Sequence, residues 1–230
     1  MRVDRITGYD LRLGGETWPF ARENASAIAA HWRELIAQKP GLWNGEVLIC
    51  TAAEVRDAQL NARFTFTDYA SFVAWRNWGA PDKTVRNCFG VPVVATLDRA
   101  LVFAEMAGHT LNAGFIYPPS GSLERRDVRA DGSIDIEGSM RHELMEETGL
   151  NADDARKGIM LVIHDAHRLA VARAHLFSET FSDLQQRFGA HRPEPQHAEL
   201  TRLIAVRGPQ DITPAMPGYA QEIARRFAMD

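Results

Sequence analysis

The stretch HELMEETGL, residues 142–150, sets three glutamates within five positions and then stops on glycine. Like charges three or four apart on a helix cost roughly a few tenths of a kcal/mol per pair. Such a cluster is either a solvated surface or is compensated by something bound. Working outward, residues 135–148 read as a helix. Asp135 stands at the N-cap, and Gly149 stands where a left-handed C-terminal cap belongs. Ile136, Met140 and Leu144 recur every four residues and make an apolar stripe. Glu143, Glu146 and Glu147 lie three and four apart, so they share a different face about one turn long.

Taken alone, a charge run of this kind is usually an exposed helix face. Two details of placement point instead to a site. The face carries no lysine, although an ordinary surface helix mixes signs. The acids also occupy the last turns, where the helix macrodipole disfavours negative charge. Local stability given up in this way fits a functional position. A divalent cation is the natural compensation, and magnesium typically takes one or two carboxylates together with substrate phosphates.

The same residues resemble the second half of the Nudix box, the signature of hydrolases acting on a nucleoside diphosphate linked to another group. The family pattern runs Gly, five residues, Glu, seven residues, then Arg-Glu-aliphatic-x-Glu-Glu-x-Gly-aliphatic. Glu143, Leu144, Glu146, Glu147, Gly149 and Leu150 match it. Upstream, Gly121 followed by Ser122-Leu123-Glu124 is similar to the family's loop before the helix, and Asp127 falls at the first acidic position. The chain departs at three points. Asp127 replaces the usual Glu, the spacer is seven residues longer, and His142 stands where the family has an arginine that holds a catalytic glutamate. Leu42-Trp43-Asn44-Gly45, Thr67-Asp68-Tyr69 and the long spacer are similar to the branch that cleaves UDP-glucose.

The resemblance implies a Nudix-type α/β/α sandwich with a mixed sheet (residues 87–230), preceded by a small α/β extension (residues 1–86). It implies a metal-dependent hydrolase that cleaves a nucleoside diphosphate derivative, UDP-glucose first, to a nucleoside monophosphate and a phosphorylated product. ADP-ribose, dinucleotide or CoA-type diphosphates are the next substrates in line. A degenerate Nudix module that binds a nucleotide without cleaving it is the alternative class. Glu143, Glu146 and Glu147 are the expected ligands of Mg2+, or of Mn2+ in its place, and Glu147 belongs with the catalytic set. Glu143, Glu146 or Glu199 is expected to accept the proton of the attacking water. Glu199 lies in Gln196-His197-Ala198-Glu199-Leu200, ahead of a strand, and reads equally well as an exposed loop residue. Gly121, Arg125 and Arg126 are expected beside the substrate phosphates. Trp43, Phe89 and Tyr117 are candidates for stacking on a base, or for core.

The remaining sequence bounds the partners. Net charge is −4 over 230 residues with signs mixed, which gives no broad basic footprint for a nucleic acid polymer. No apolar run approaches the roughly 20 residues of a membrane span. The opening MRVDRITGYD has no hydrophobic signal core, so the expected setting is cytoplasmic, with a homodimer as an oligomeric option. Cys50 and Cys88 lack metal-ligand spacing and read as reduced, half-buried thiols. His164, Asp165 and His167 are candidates for zinc or, more in keeping with an expected hairpin, for a solvated turn.

The coarse pattern predicts strands over 3–13, 46–51, 62–66, 89–96, 100–103, 115–117, 158–164, 169–177 and 200–206. Helices are predicted over 21–38, from 69, over 135–148 and 179–188, and over 218–228.

Overall fold

Residues 87–95 (NCFGVPVVA) are buried at almost every position, which is what a strand covered on both faces requires. This strand, β5 (Asn87–Ala95), lies near the middle of a seven-stranded sheet. The computed structural model describes residues 1–193 and 198–227. Among these the order in the large sheet is β1 (Arg2–Ile6), β8 (Arg156–Asp165), β9 (Arg168–Leu176), β5, β6 (Leu101–Met106) and β10 (Leu200–Val206), with the short β7 (Ile116–Tyr117) paired to β6. β5 runs parallel to β9; the other pairings are antiparallel, so the sheet is mixed as expected.

Side chains alternate across this sheet with period two and divide the core in two. Phe89, Val91 and Val93 face α6 (Gly218–Phe227), packing with Tyr219, Ile223 and Phe227. Cys88, Val162 and Val171 face the opposite way, against Ile136 and Met140 of α4 (Ile136–Thr148). Gly90 permits that contact, because a β-carbon there would sit 2.7 Å from Met140. α5 (Phe181–Ala190) covers the same side farther along, where Leu184 meets Leu144 and Val94.

A second sheet, β2 (Gly8–Leu13), β4 (Gln59–Asp68) and β3 (Glu46–Arg56), is built from the N-terminal region. Leu48, Leu60 and Phe64 of this sheet join Ile136, Met140 and Val162 in one cluster. Its other face carries Val47 and Ile49 against Phe72, Val73 and Trp75 of α3 (Tyr69–Asn77). β1 belongs to the large sheet, and Cys50 and Arg86 exchange backbone hydrogen bonds at 3.0 and 2.8 Å. The core therefore runs unbroken across position 86.

Two of the predicted elements are split. The strand expected over 3–13 breaks at Thr7, whose N–H donates to Ala58 O, so that β1 and β2 enter different sheets. The helix expected over 21–38 is α1 (Pro19–Glu23) followed by α2 (Ala25–Gln38). At the break, Asn24 donates its side-chain amide to Phe20 O at 2.9 Å, competing with the helical pattern. Cys50 and Cys88 are fully buried rather than half-buried, and they are unpaired.

Candidate active site

α4 is built as its sequence reads. Asp135 accepts from Gly138 N–H, and Gly149 takes the left-handed conformation at φ 71°. Ile136, Met140 and Leu144 are buried, which fixes the rotation of the helix and turns Glu143 and Glu147 toward a cavity of about 930 Å3. Glu146 and Glu199 line the same cavity. The four predicted carboxylates are thus brought together from α4 and from the residue preceding β10.

Glu147 is the most deeply placed, only 6% exposed. The Ser120 N–H hydrogen-bonds to its carboxyl, while Oε2 is buried with no partner. Burial first, then the charges of Glu143, Glu199 and Glu146, push its pKa well above the carboxylate range. Glu143 is pushed up to about 8, again mainly by burial, against the lowering effect of Arg126. Arg126 donates to Glu143 Oε1 at 2.7 Å. His142 Nε2 lies 2.8 Å from Glu146 Oε2. Position 142 is therefore a histidine paired one turn along, and the cation on Glu143 comes from the loop before the helix.

Gly121 is the closest approach of that loop. A β-carbon at this position would lie 2.3 Å from the Glu143 carboxylate, so only glycine leaves the side chain where it stands. Asp127 is buried, and its side chain accepts from Glu124 N–H in a reciprocal cap. It shapes the loop and does not reach the cavity lining.

Arg126 lines the cavity; Arg125 does not. Arg125 forms a bidentate pair with Glu46 at 2.6 and 3.0 Å and lies over the Phe66 ring. Trp43, Phe89 and Tyr117 all line the cavity, with Trp43 largely exposed at its mouth. Gln196 and His197 lie outside the described residues.

The histidine cluster disperses. His164 bonds Asp4 at 2.8 Å, Asp165 accepts from Tyr219 N–H at the start of α6, and His167 packs edge-on against Trp75. Among the described residues, no group of three His, Cys, Asp or Glu side chains is already gathered as a metal cage. The glutamate set still fits a hard divalent ion by its chemistry, through the orphaned Glu147 oxygen and the mutual repulsion of its neighbours.

Several cavity residues carry no local signal in the sequence. Lys39, Tyr69 and Arg76 come from the N-terminal region, Arg168 from β9 and Tyr219 from α6. They meet only because the two sheets share a core, and no spacing rule links them.

No protein-family model and no curated protein matches the chain. It is similar to several solved structures. One is DR0079 from Deinococcus radiodurans, with a TM-score of 0.44 and 12% identity over 62% of this chain and 83% of that one. Another is the MutT protein from Methanosarcina mazei Go1, with a TM-score of 0.40 and 15% identity over 63% and 95%. A third is the NUDIX domain of Shewanella oneidensis NrtR, solved with ADP ribose, with a TM-score of 0.35 and 12% identity over 52% and 71%. Likeness of this degree leaves the chemistry to be read from the chain's own residues.

Proposed function

We propose that this chain is a Nudix-type, metal-dependent hydrolase of the diphosphate linkage in a nucleoside diphosphate derivative. The observation that carries the reading is Glu147: a buried carboxylate with an unpartnered oxygen, beside Glu143, in the wall of a ligand-sized cavity. A buried acid with an unsatisfied oxygen among like charges is costly and marks a functional site. Glu143, Glu146 and Glu147 are the residues that would hold Mg2+ or Mn2+, which when bound supplies neutralisation of phosphate charge and an acidified water.

The chain's own residues do the rest. Arg126 holds Glu143 in place and presents further donors to an anionic ligand. Glu143, held by Arg126 in the cavity lining, is placed to accept a proton from the attacking water. Glu199 adds negative charge to the same wall. Trp43 offers an exposed ring at the mouth for a base. Phosphoryl transfer asks mainly for positioning and charge stabilisation, and the cavity, at about 930 Å3, has room for a nucleotide sugar. The resemblance of Leu42-Trp43-Asn44-Gly45 and of the long spacer to the branch that cleaves UDP-glucose favours that member. The setting favoured is cytoplasmic.

A second reading is a module that binds a nucleotide without cleaving it. His142 favours it, because its contact with Glu146 engages one of the three expected ligands. One assay separates the two. The protein is incubated with UDP-glucose, ADP-ribose, a dinucleoside polyphosphate and a CoA derivative in Mg2+ or Mn2+, and phosphate is measured after phosphatase treatment. Turnover of any member supports the hydrolase; binding of one with turnover of none supports the module.

A further inference from the structure

The cavity lining carries both signs of charge: the carboxylates of α4, and two guanidinium groups, Arg76 from α3 and Arg168 from β9. Arg76 is partly buried, and no carboxylate among the described residues forms an ion pair with it. Its side-chain partners are the amide oxygens of Asn77 and Asn112, both at 3.4 Å, the long end of hydrogen bonding. Burial depresses its pKa, and the nearby charge of Arg168 adds to that effect. Arg168 is also poorly neutralised. Its nearest carboxylate, Asp165, is 3.9 Å away and already accepts from Tyr219 N–H at 3.0 Å.

Two like charges facing one cavity, neither held by a close acid, are expensive unless something anionic completes them. We infer that Arg76 and Arg168 form an oxyanion subsite that grips a phosphoryl group of the ligand in the same cavity as the glutamates. Guanidinium forks match phosphate oxygens in geometry as well as charge. Asn112 supports the subsite, since it touches Arg76 and also donates to the Tyr117 hydroxyl at 2.9 Å.

This gives the N-terminal region a task. α3 is set by its Asp68 cap and by Asn44, which accepts from Ala70 N–H at 2.7 Å. Together these place Arg76 on the cavity, so residues before position 86 complete the binding site. The inference rests on the cavity being the ligand site proposed above, but not on catalysis there.

The test uses the full chain in EDTA, with inorganic pyrophosphate as the probe and calorimetry as the readout. Wild-type protein should bind it, and Arg76→Gln and Arg168→Gln should each weaken binding at least tenfold. Arg76→Lys, which keeps the charge without the fork, should fall between. Glu147→Gln should bind at least as tightly as wild type. Should Arg76→Gln fail to fold, Arg168→Gln decides the matter from a more exposed position. Unchanged affinity in the glutamine variants, or no binding by wild-type protein, overturns the subsite while leaving the hydrolase reading to its own assay. Arginine-dependent pyrophosphate binding in a protein that turns over no diphosphate keeps the subsite and removes the hydrolase.

Discussion

Two polar clusters look alike when read along the chain: Glu143, Glu146 and Glu147 on α4, and His164, Asp165 and His167 at the β8–β9 turn. Folding gathers the first around one cavity and scatters the second among three separate partners. The difference is one of periodicity. Spacings of three and four on a helix return side chains to one face, whereas successive residues of a strand point to opposite faces. At the turn, Ala166 adopts a positive φ of 52°, which reverses the chain between the two histidines. Density of chemical groups in sequence becomes a site only when the local period brings it back to one side.

The largest effect that would break this contrast comes from the helix. Glu147→Gln removes the charge but keeps the shape, and turnover of the best substrate should fall about 10²–10³-fold, as for a lost transition-state charge partner. The thermal midpoint of the metal-free protein should not fall, because the variant relieves a buried, repelled acid. A variant that keeps wild-type turnover in a steady-state assay would reduce α4 to an acidic surface.

A smaller effect tests how closely the helix is held against its loop. Gly121→Ala puts a β-carbon 2.3 Å from the Glu143 carboxylate, which must then swing away. Because the clash is with the end of a flexible side chain, stability should barely change. Turnover should drop roughly ten- to a hundredfold, the scale for a misplaced catalytic group. Thermal unfolding and a kinetic assay on the same sample distinguish this from global damage.

Much of the helix cluster was legible beforehand because every cue to it is local. The stripe of Ile136, Met140 and Leu144, the Asp135 cap and the Gly149 stop each act within a few residues. The hairpin of β8 and β9 was legible for the same reason. The arginine pair in the cavity was not. Arg76 reads as one charge on a short helix, and its meaning depends on Arg168, far away in sequence, reaching the same space. Thr7 is similar: nothing in MRVDRITGYD announces that the strand will be shared between two sheets, since that follows from Ala58 accepting its N–H. Arg125 and Arg126 are adjacent, yet Glu46 on β3 captures one and leaves the other to the cavity.

The smallest effect sharpens the contrast by its sign. In EDTA, Glu143 has its pKa raised from 4.5 to about 8, so the folded state holds a proton that the unfolded chain gives up. That contribution is complete below the unfolded value and is lost as pH rises through the folded one. His167 runs the other way. Burial, followed by the charge of Arg168, lowers it from 6.5 to about 4, so the unfolded chain takes up a proton first. Its contribution is lost as pH falls through that window. The two contributions oppose each other where their windows overlap, between about pH 4.5 and 6.5, so thermal midpoints should be flat there and fall on either side. Glu143→Gln should reduce the alkaline limb, to which Glu147 also contributes, by at most roughly 10–20 °C in a chain of this size, and His167→Asn should reduce the acid limb. The double variant tests independence: its midpoint shifts should equal the sum of the single-variant shifts at every pH, and a departure would mean that the two clusters are coupled through the shared core.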